Sequence, residues 1–134
     1  MIRTFAAIVS IPALLLAASC APGPDTAMSA RSSDTCFTSD RLINFRAGET
    51  PSVYVKAIGG DVFELQTFGP CRDIDAAYTI GLAPLAGESY RTCVGDGIDL
   101  QVAAAGVAPN RCRARVVKKL SEEEVAALPS RYRP

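Results

Sequence analysis

Five cysteines in a chain of 134 residues that has no histidine constrain the fold more than any other feature. Four of them are spread over the chain after residue 35, at Cys36, Cys71, Cys93 and Cys112. A zinc site is a poor explanation, because the chain has no Cys-x-x-Cys pair and no histidine ligand. An even set of cysteines in a small exported domain is instead typical of disulfides, and four cysteines allow three pairings.

The first 19 residues predict export. Arg3 and the amino terminus give a positive start, and residues 5–16 form an apolar run broken only by Ser10 and Pro12. At about 1.5 Å per residue this run covers about 18 Å, well short of the roughly 30 Å hydrocarbon core of a bilayer. We therefore expect a signal peptide over residues 1–19 rather than a permanent membrane span.

The signal ends in Leu-Ala-Ala-Ser-Cys at residues 16–20, which resembles the lipobox of bacterial lipoproteins. The resemblance implies that Cys20 becomes the lipidated first residue of the mature chain. Ordinary cleavage among the same small residues, leaving a soluble periplasmic protein, is the alternative. Ala21 and Pro22 lack the aspartate that often retains such lipoproteins at the inner membrane. We therefore expect an anchor at the outer membrane, on its periplasmic face rather than at the cell surface.

The rest of the chain has room for one small domain, because removal of the signal leaves 115 of the 134 residues. Residues 20–35 are rich in Ala, Ser, Pro and Gly and predict a flexible tether, residues 36–128 the domain, and residues 129–134 a frayed tail. The precursor carries 14 basic and 14 acidic side chains, which argues against a general nucleic-acid binder.

Alternating apolar residues predict antiparallel strands. The clearest pattern lies on either side of a glycine pair, where odd-numbered residues are apolar over 53–57 and 63–65. Only a loop of odd length can bring two odd-numbered sets to one face of a hairpin. We therefore expect a three-residue loop over residues 59–61, which pairs Val55 with Leu65.

A short apolar run predicts a strand over residues 42–45, and another strand is expected over residues 90–94. The same alternation predicts strands over residues 98–102 and 112–116. A short helical turn is expected near residues 73–80, and a capped C-terminal helix after Ser121. The expected fold class is α+β, mainly antiparallel β, with a small curled or barrel-like sheet of about five strands. Of the three disulfide pairings we favour Cys71 with Cys93, closing the helical segment, and Cys36 with Cys112, tying the first strand to the last.

Several short motifs follow one another along the domain. They are Cys-Phe at 36–37, Phe-Gly-Pro-Cys at 68–71, Ile-Gly-Leu at 80–82, Cys-x-Gly at 93–95, and Arg-Cys followed by Lys-Leu-Ser before a short acidic helix. Over about residues 36–128 the chain thereby resembles a family of small proteobacterial envelope lipoproteins of unknown function with four paired cysteines. The resemblance implies an envelope lipoprotein, and it transfers no activity, ligand or catalytic residue.

One charge concentration is a candidate binding site. Arg111, Arg113 and Arg115 share one strand face, with Lys118 and Lys119 just beyond, and they could bind phosphates of lipopolysaccharide or anionic lipid. The alternative is a solvated edge strand whose charges discourage edge-to-edge pairing.

The usual catalytic groups are missing from the sequence. Without histidine, nucleophile and base pairs of the Ser-His or Cys-His kind are excluded. Aspartates occur in pairs, 73 with 75 and 96 with 99, but each pair lies at a turn or cap where aspartate is common. We expect no catalytic residue, no metal and no cofactor.

The sequence therefore predicts a lipid-anchored cell-envelope protein with a structural or partner-binding role rather than an enzyme. Its partner would be an unknown envelope protein, not nucleic acid. Two alternatives remain open: an inhibitor of a secreted hydrolase such as lysozyme, and a soluble periplasmic binding module for anionic envelope components.

Overall fold

Antiparallel strands dominate residues 35–134, the part of the chain that the computed structural model describes. In chain order they are β1 (Cys36–Thr38), β2 (Leu42–Ala47), β3 (Ser52–Ala57), β4 (Val62–Thr67), β5 (Ala77–Pro84), β6 (Arg91–Cys93), β7 (Gly97–Ala104) and β8 (Asn110–Leu120). Helix α1 (Glu122–Ala127) follows, and short 3-10 helices cover Ile74–Ala76 and Ser130–Tyr132. The predicted signal peptide, Cys20 and residues 20–34 of the predicted tether lie outside the described residues.

Six strands form one curled, nearly closed sheet in the order β2-β3-β4-β8-β7-β5. Strands β1 and β6 pair with each other in a separate two-stranded sheet. The predicted fold class, mainly antiparallel β with a barrel-like sheet and a short C-terminal helix, is confirmed. Within residues 35–134 the curled sheet has six strands where about five were expected, and β1 and β6 add a second, two-stranded sheet.

The core lies inside the curled sheet and is built from the inward-facing residues of the central strands. The side chains without any exposed surface include Phe63, Leu65, Ile98, Leu100 and Val116. Phe37 of β1 joins this core, with its ring centroid 4.5 Å from that of Phe63. Each fully buried side chain of this size contributes about 1.5–3 kcal/mol to the free energy of unfolding. The inward-facing apolar residues that the alternation identified are therefore the main source of stability.

The β3–β4 hairpin has the predicted loop of odd length, but the loop begins one residue earlier. The amide of Ala57 donates to the carbonyl of Asp61 at 2.9 Å, which leaves residues 58–60 as the loop. Val55 therefore pairs with Phe63, and the predicted pairing with Leu65 is wrong. Odd-numbered residues still face odd-numbered residues. The glycines, both at positive φ, occupy the last two positions of the loop rather than the first two.

The predicted helical turn near residues 73–80 is wrong beyond its first residues. Only Ile74–Ala76 form a single 3-10 turn, and Ala77–Pro84 form β5, which pairs with β7. Ile74 packs against the core, whereas Tyr78 is 70% exposed. The apolar residues of this segment are three and four positions apart, which is also compatible with a helix. Pairing with β7 nevertheless makes the segment a strand.

Both disulfides are present, but their pairing differs from the one we favoured. Cys36 is bonded to Cys93 and Cys71 to Cys112. The sheet pairing explains this result, because Cys36 and Cys93 are direct partners in the β1–β6 pair. Cys71 follows β4, whose neighbour β8 carries Cys112. The favoured pairing required β1 to lie beside β8, and β1 belongs to the other sheet.

The C-terminal segment begins with the predicted capping box, which is confirmed: Ser121 accepts from the Glu124 amide, and the Glu124 carboxylate accepts from the Ser121 amide. Residues 129–134, expected to fray, instead contain a 3-10 turn. Arg133 donates three hydrogen bonds to backbone carbonyls at the end of α1, those of Val125, Ala126 and Leu128. A cation is favourable there because it offsets the helix dipole. No helix within residues 35–134 has the length and hydrophobicity needed to cross a bilayer.

Candidate functional site

The three predicted arginines lie together on the outward face of β8. Arg111, Arg113 and Arg115 are exposed, and the residues between them, Cys112 and Ala114, point inward. β8 pairs with β4 on one side and with β7 on the other. It is therefore an interior strand, and the alternative interpretation of these charges as protection of a sheet edge is wrong. Successive arginines on one strand face are about 6.8 Å apart along the strand, from a rise of about 3.4 Å per residue.

The arginines differ in what neutralises them. The Nε of Arg113 lies 3.5 Å from Oδ1 of Asp99, its direct partner on β7. Arg111 faces the uncharged Gln101 across the same pair of strands. Within residues 35–134, Arg111 and Arg115 form no ion pair. This face therefore carries two guanidinium charges that have no carboxylate partner among the described residues.

Phe68 is a part of this surface that the sequence did not single out. Its amide donates to the carbonyl of Arg113 at 2.9 Å, which holds the residue against β8 just beyond the end of β4. Its ring is 60% exposed, and the guanidinium carbon of Arg115 lies 5.4 Å from the ring centroid. An exposed aromatic ring beside arginines is a combination enriched at protein interfaces. Phe68 lies two residues after Gln66, an exposed residue of β4, and residues two apart on a strand share a face. This spacing is the one sequence signal that could have identified Phe68 as exposed.

The two lysines of the predicted cluster serve other contacts. Lys118 Nζ lies 2.7 Å from Oε1 of Glu124, the capping residue of α1, and Lys119 Nζ lies 2.8 Å from Oδ2 of Asp61 in the β3–β4 hairpin. A bulge separates the lysines from the arginines, because Val116 pairs with Leu65 and Lys118 with Glu64. The structure therefore brings the arginines together and assigns each lysine to a different neighbour.

The electrostatics beyond the bulge follow from these contacts. The hydrogen bond between Lys118 and Glu124 raises the pKa of the ammonium and lowers the pKa of the carboxyl. Burial, and then the nearby carboxylate of Glu64, raise the pKa of the Tyr54 hydroxyl. All three groups keep their ordinary protonation state at neutral pH, so Lys118 and Glu124 form an ion pair there.

One aspartate of each predicted pair lies at a turn. Asp73 lies at a turn with φ of 60°, and Asp96 accepts a hydrogen bond from the Cys93 amide at 2.9 Å. No group of three or more potential metal ligands occurs within residues 35–134. A cavity of about 430 Å³ lies between the β3–β4 hairpin and α1. Cations and carboxylates both line it, among them Lys56, Arg133, Asp61 and Glu122.

Comparison with protein-family models, with curated proteins and with solved structures finds no match to this chain. The functional interpretation therefore depends on the residues themselves. The two disulfides are consistent with an exported protein.

Proposed function

We propose that the protein is an exported lipoprotein, anchored at the outer membrane through Cys20, that presents a disulfide-braced barrel to a partner in the envelope. The observation that carries the proposal is the pair of disulfides, because such bonds persist in oxidising compartments. They use four of the five cysteines and leave Cys20, which directly follows the predicted signal peptide. The role is binding rather than catalysis, in keeping with a chain that has no histidine.

Mass spectrometry of the protein extracted from membranes tests the anchor. We expect a mass above that of the polypeptide from residue 20 to residue 134 by several acyl chains. Replacing Cys20 by alanine should move the protein to the soluble fraction. Ala21→Asp is the matched control, because it should keep the lipid and shift the protein towards the inner membrane. An unlipidated mass, or a Cys20→Ala protein that stays with the membrane, contradicts the proposal.

A second candidate function is binding of anionic envelope components by the arginine face. It is supported by the two guanidinium groups of Arg111 and Arg115, which have no carboxylate partner within residues 35–134. Guanidinium groups form paired hydrogen bonds with phosphate oxygens. A row of them next to the exposed ring of Phe68 suits a surface that carries phosphates above an apolar layer.

The double variant Arg111→Gln/Arg115→Gln tests this function. Its binding to vesicles with anionic lipid should fall by about tenfold or more, since a basic residue near an anionic surface contributes about 1 kcal/mol. Lys118→Gln/Lys119→Gln removes the same charge from residues that already have carboxylate partners, and should weaken binding less. Equal losses would mean that only net charge matters, and no loss in the arginine variant would exclude the site.

A further inference from the structure

The two edges of the six-stranded sheet, β2 and β5, line one cavity of about 170 Å³. The sheet is therefore nearly closed but not sealed, and within residues 35–134 each edge strand has one side without a neighbouring strand. Natural sheets protect such edges, because unpaired backbone groups can pair with a strand from another chain. The two edges differ in how far they are protected.

The β2 edge is capped by its own side chains. The amide of Gly48 donates to the carbonyl of Ser52, so the even-numbered residues of β2 form the hydrogen-bonded pairs with β3. The backbone N–H and C=O groups of Phe45 therefore point away from β3. The amide of Phe45 donates to Oδ1 of Asn44 at 2.9 Å, and its carbonyl accepts from a terminal nitrogen of the Arg46 guanidinium at 2.9 Å. The outward groups at the middle of β2 are therefore already satisfied.

The β5 edge has no such caps. The amide of Val116 donates to the carbonyl of Asp96, so the even-numbered residues of β7 form the hydrogen-bonded pairs with β8. The odd-numbered residues of β7 then form the hydrogen-bonded pairs with β5. In the β5–β7 register, where Gly81 faces Gln101, the backbone groups of Ile80 then point to the free side. Within residues 35–134, no side chain hydrogen-bonds to them. The strand Ala77–Pro84 contains no charged residue either.

A bulge on each edge strand places a large apolar side chain at the opening. Pairing shifts between Leu42 and Asn44 on β2 and between Ala77 and Thr79 on β5, which leaves Ile43 and Tyr78 as the bulged residues. Ile43 is 59% exposed and Tyr78 is 70% exposed, and both line the cavity. Apolar contacts are therefore available on both sides of the free β5 edge.

We propose that the β5 edge binds an extended, uncharged segment of a partner protein, which adds to the sheet as a further strand beside Ile80. The proposal deepens the partner-binding role given above and rests on it. Main-chain hydrogen bonds would hold the segment to β5, and its side chains would contact Tyr78 and Ile43. The segment is uncharged because a charge would lose its hydration between these side chains without gaining an ion pair from β5.

A lone segment fits this edge better than a second copy of the chain. An added strand lies about 4.8 Å from β5, and the next strand of a partner's sheet would lie about 4.8 Å further out. β2 lines the same cavity as β5, so it stands on the side where that second strand would have to pass. The chain's own residues 21–34 are a poor match, because they carry Asp25, Arg31 and Asp34.

Amide hydrogen exchange tests the proposal on the full chain carrying Cys20→Ala, with the peptide acetyl-Thr-Val-Thr-Val-Thr-Val-Thr-amide as the probe. We expect the peptide to slow exchange at Ile80 and to leave Phe45 unchanged, because the Phe45 amide is already bonded. A peptide N-methylated at every residue should not bind. One N-methylated at alternate residues should still bind, because pairing with β5 requires only one edge of the peptide.

Tyr78→Lys should weaken binding of the peptide by about tenfold or more, equivalent to about 1.4 kcal/mol, because it replaces an apolar contact with an edge charge. Val107→Lys is the matched control: Val107 is also exposed, at 47%, lies outside the cavity and should leave affinity unchanged.

Three results would overturn the proposal. Unchanged exchange at Ile80 would show that no strand is added, and equal binding of the fully N-methylated peptide would show apolar contact without strand pairing. Slowed exchange that depends on protein concentration, without peptide, would show that a second copy is the occupant. The chain used here has no anchor, so these results are independent of whether Cys20 is lipidated.

Discussion

The bond between Cys36 and Cys93 is expected to contribute about 4 kcal/mol to the free energy of unfolding. The two residues are 57 positions apart, and a cross-link at that separation lowers the entropy of the unfolded chain by about 14 cal/mol/K in the chain-entropy relation. The Cys71–Cys112 bond, with a separation of 41, also gives about 4 kcal/mol. The two values differ by only about 0.3 kcal/mol. Each is a large share of the roughly 5–15 kcal/mol that holds a small domain together.

The assay is urea unfolding of two variants, each with both cysteines of one bond replaced by alanine. Far-UV circular dichroism suits the measurement because the chain has no tryptophan. We expect similar losses for the two variants, with any excess for the Cys36 and Cys93 variant reporting release of β1, whose Phe37 packs on Phe63. A loss below about 1 kcal/mol in either variant would refute the assumption that loop closure dominates.

A thiol count checks the pairing itself. In a Cys20→Ala background, replacing Cys36 and Cys93 should leave no free thiol, because Cys71 and Cys112 remain bonded to each other. Replacing Cys36 and Cys112 should leave two free thiols in the folded protein. The reverse outcome would restore the pairing that the sequence favoured.

Two further predictions concern packing and pH. Gly48→Ala should destabilise the domain by about 1–3 kcal/mol in urea unfolding, because the new methyl carbon would lie 2.6 Å from the Tyr54 ring. Gly81→Ala, whose methyl would have its nearest neighbour at 3.7 Å, should cost less, and equal losses would argue against crowding at Gly48. The contribution of the Glu124 contact with Lys118 should be present above the ordinary carboxyl pKa of 4.5 and lost as the pH falls through the lowered pKa of the folded state. The difference in urea midpoint between the natural chain and Glu124→Gln should therefore shrink between about pH 7 and about pH 3, and a constant difference would contradict this linkage.

Local signals predicted much of this fold. The alternation of Val53, Val55 and Ala57 set the inward face of β3, and the spacing of Ser121 and Glu124 set the start of α1. Both depend on contacts within a few residues of the chain. The hairpin loop was limited to an odd length for the same reason. Its position was not, because it depends on whether the two glycines take the first two or the last two places in the loop.

Contacts between distant segments were beyond the sequence. The partner of Cys93 depends on β1 pairing with β6, and β5 becomes a strand only because β7 lies beside it. The interval from Arg115 to Lys118 is three residues rather than two, which is the pattern a bulge produces in an otherwise alternating strand. That change of interval was the available signal that the arginines and the lysines would have different neighbours.

The bond between Cys36 and Cys93 also sets how the domain responds to mechanical load. A pull on the N-terminal segment reaches the fold at Cys36 and passes through the bond directly to β6, so β1 cannot be peeled away first. The chain between the two cysteines, at most about 200 Å when fully extended, is bypassed by the bond and shielded from that tension. Reducing this one bond would place β1 to β4, including the hairpin that supplies Phe63 to the core, directly in the line of force, whereas the Cys71–Cys112 bond would still bypass β5.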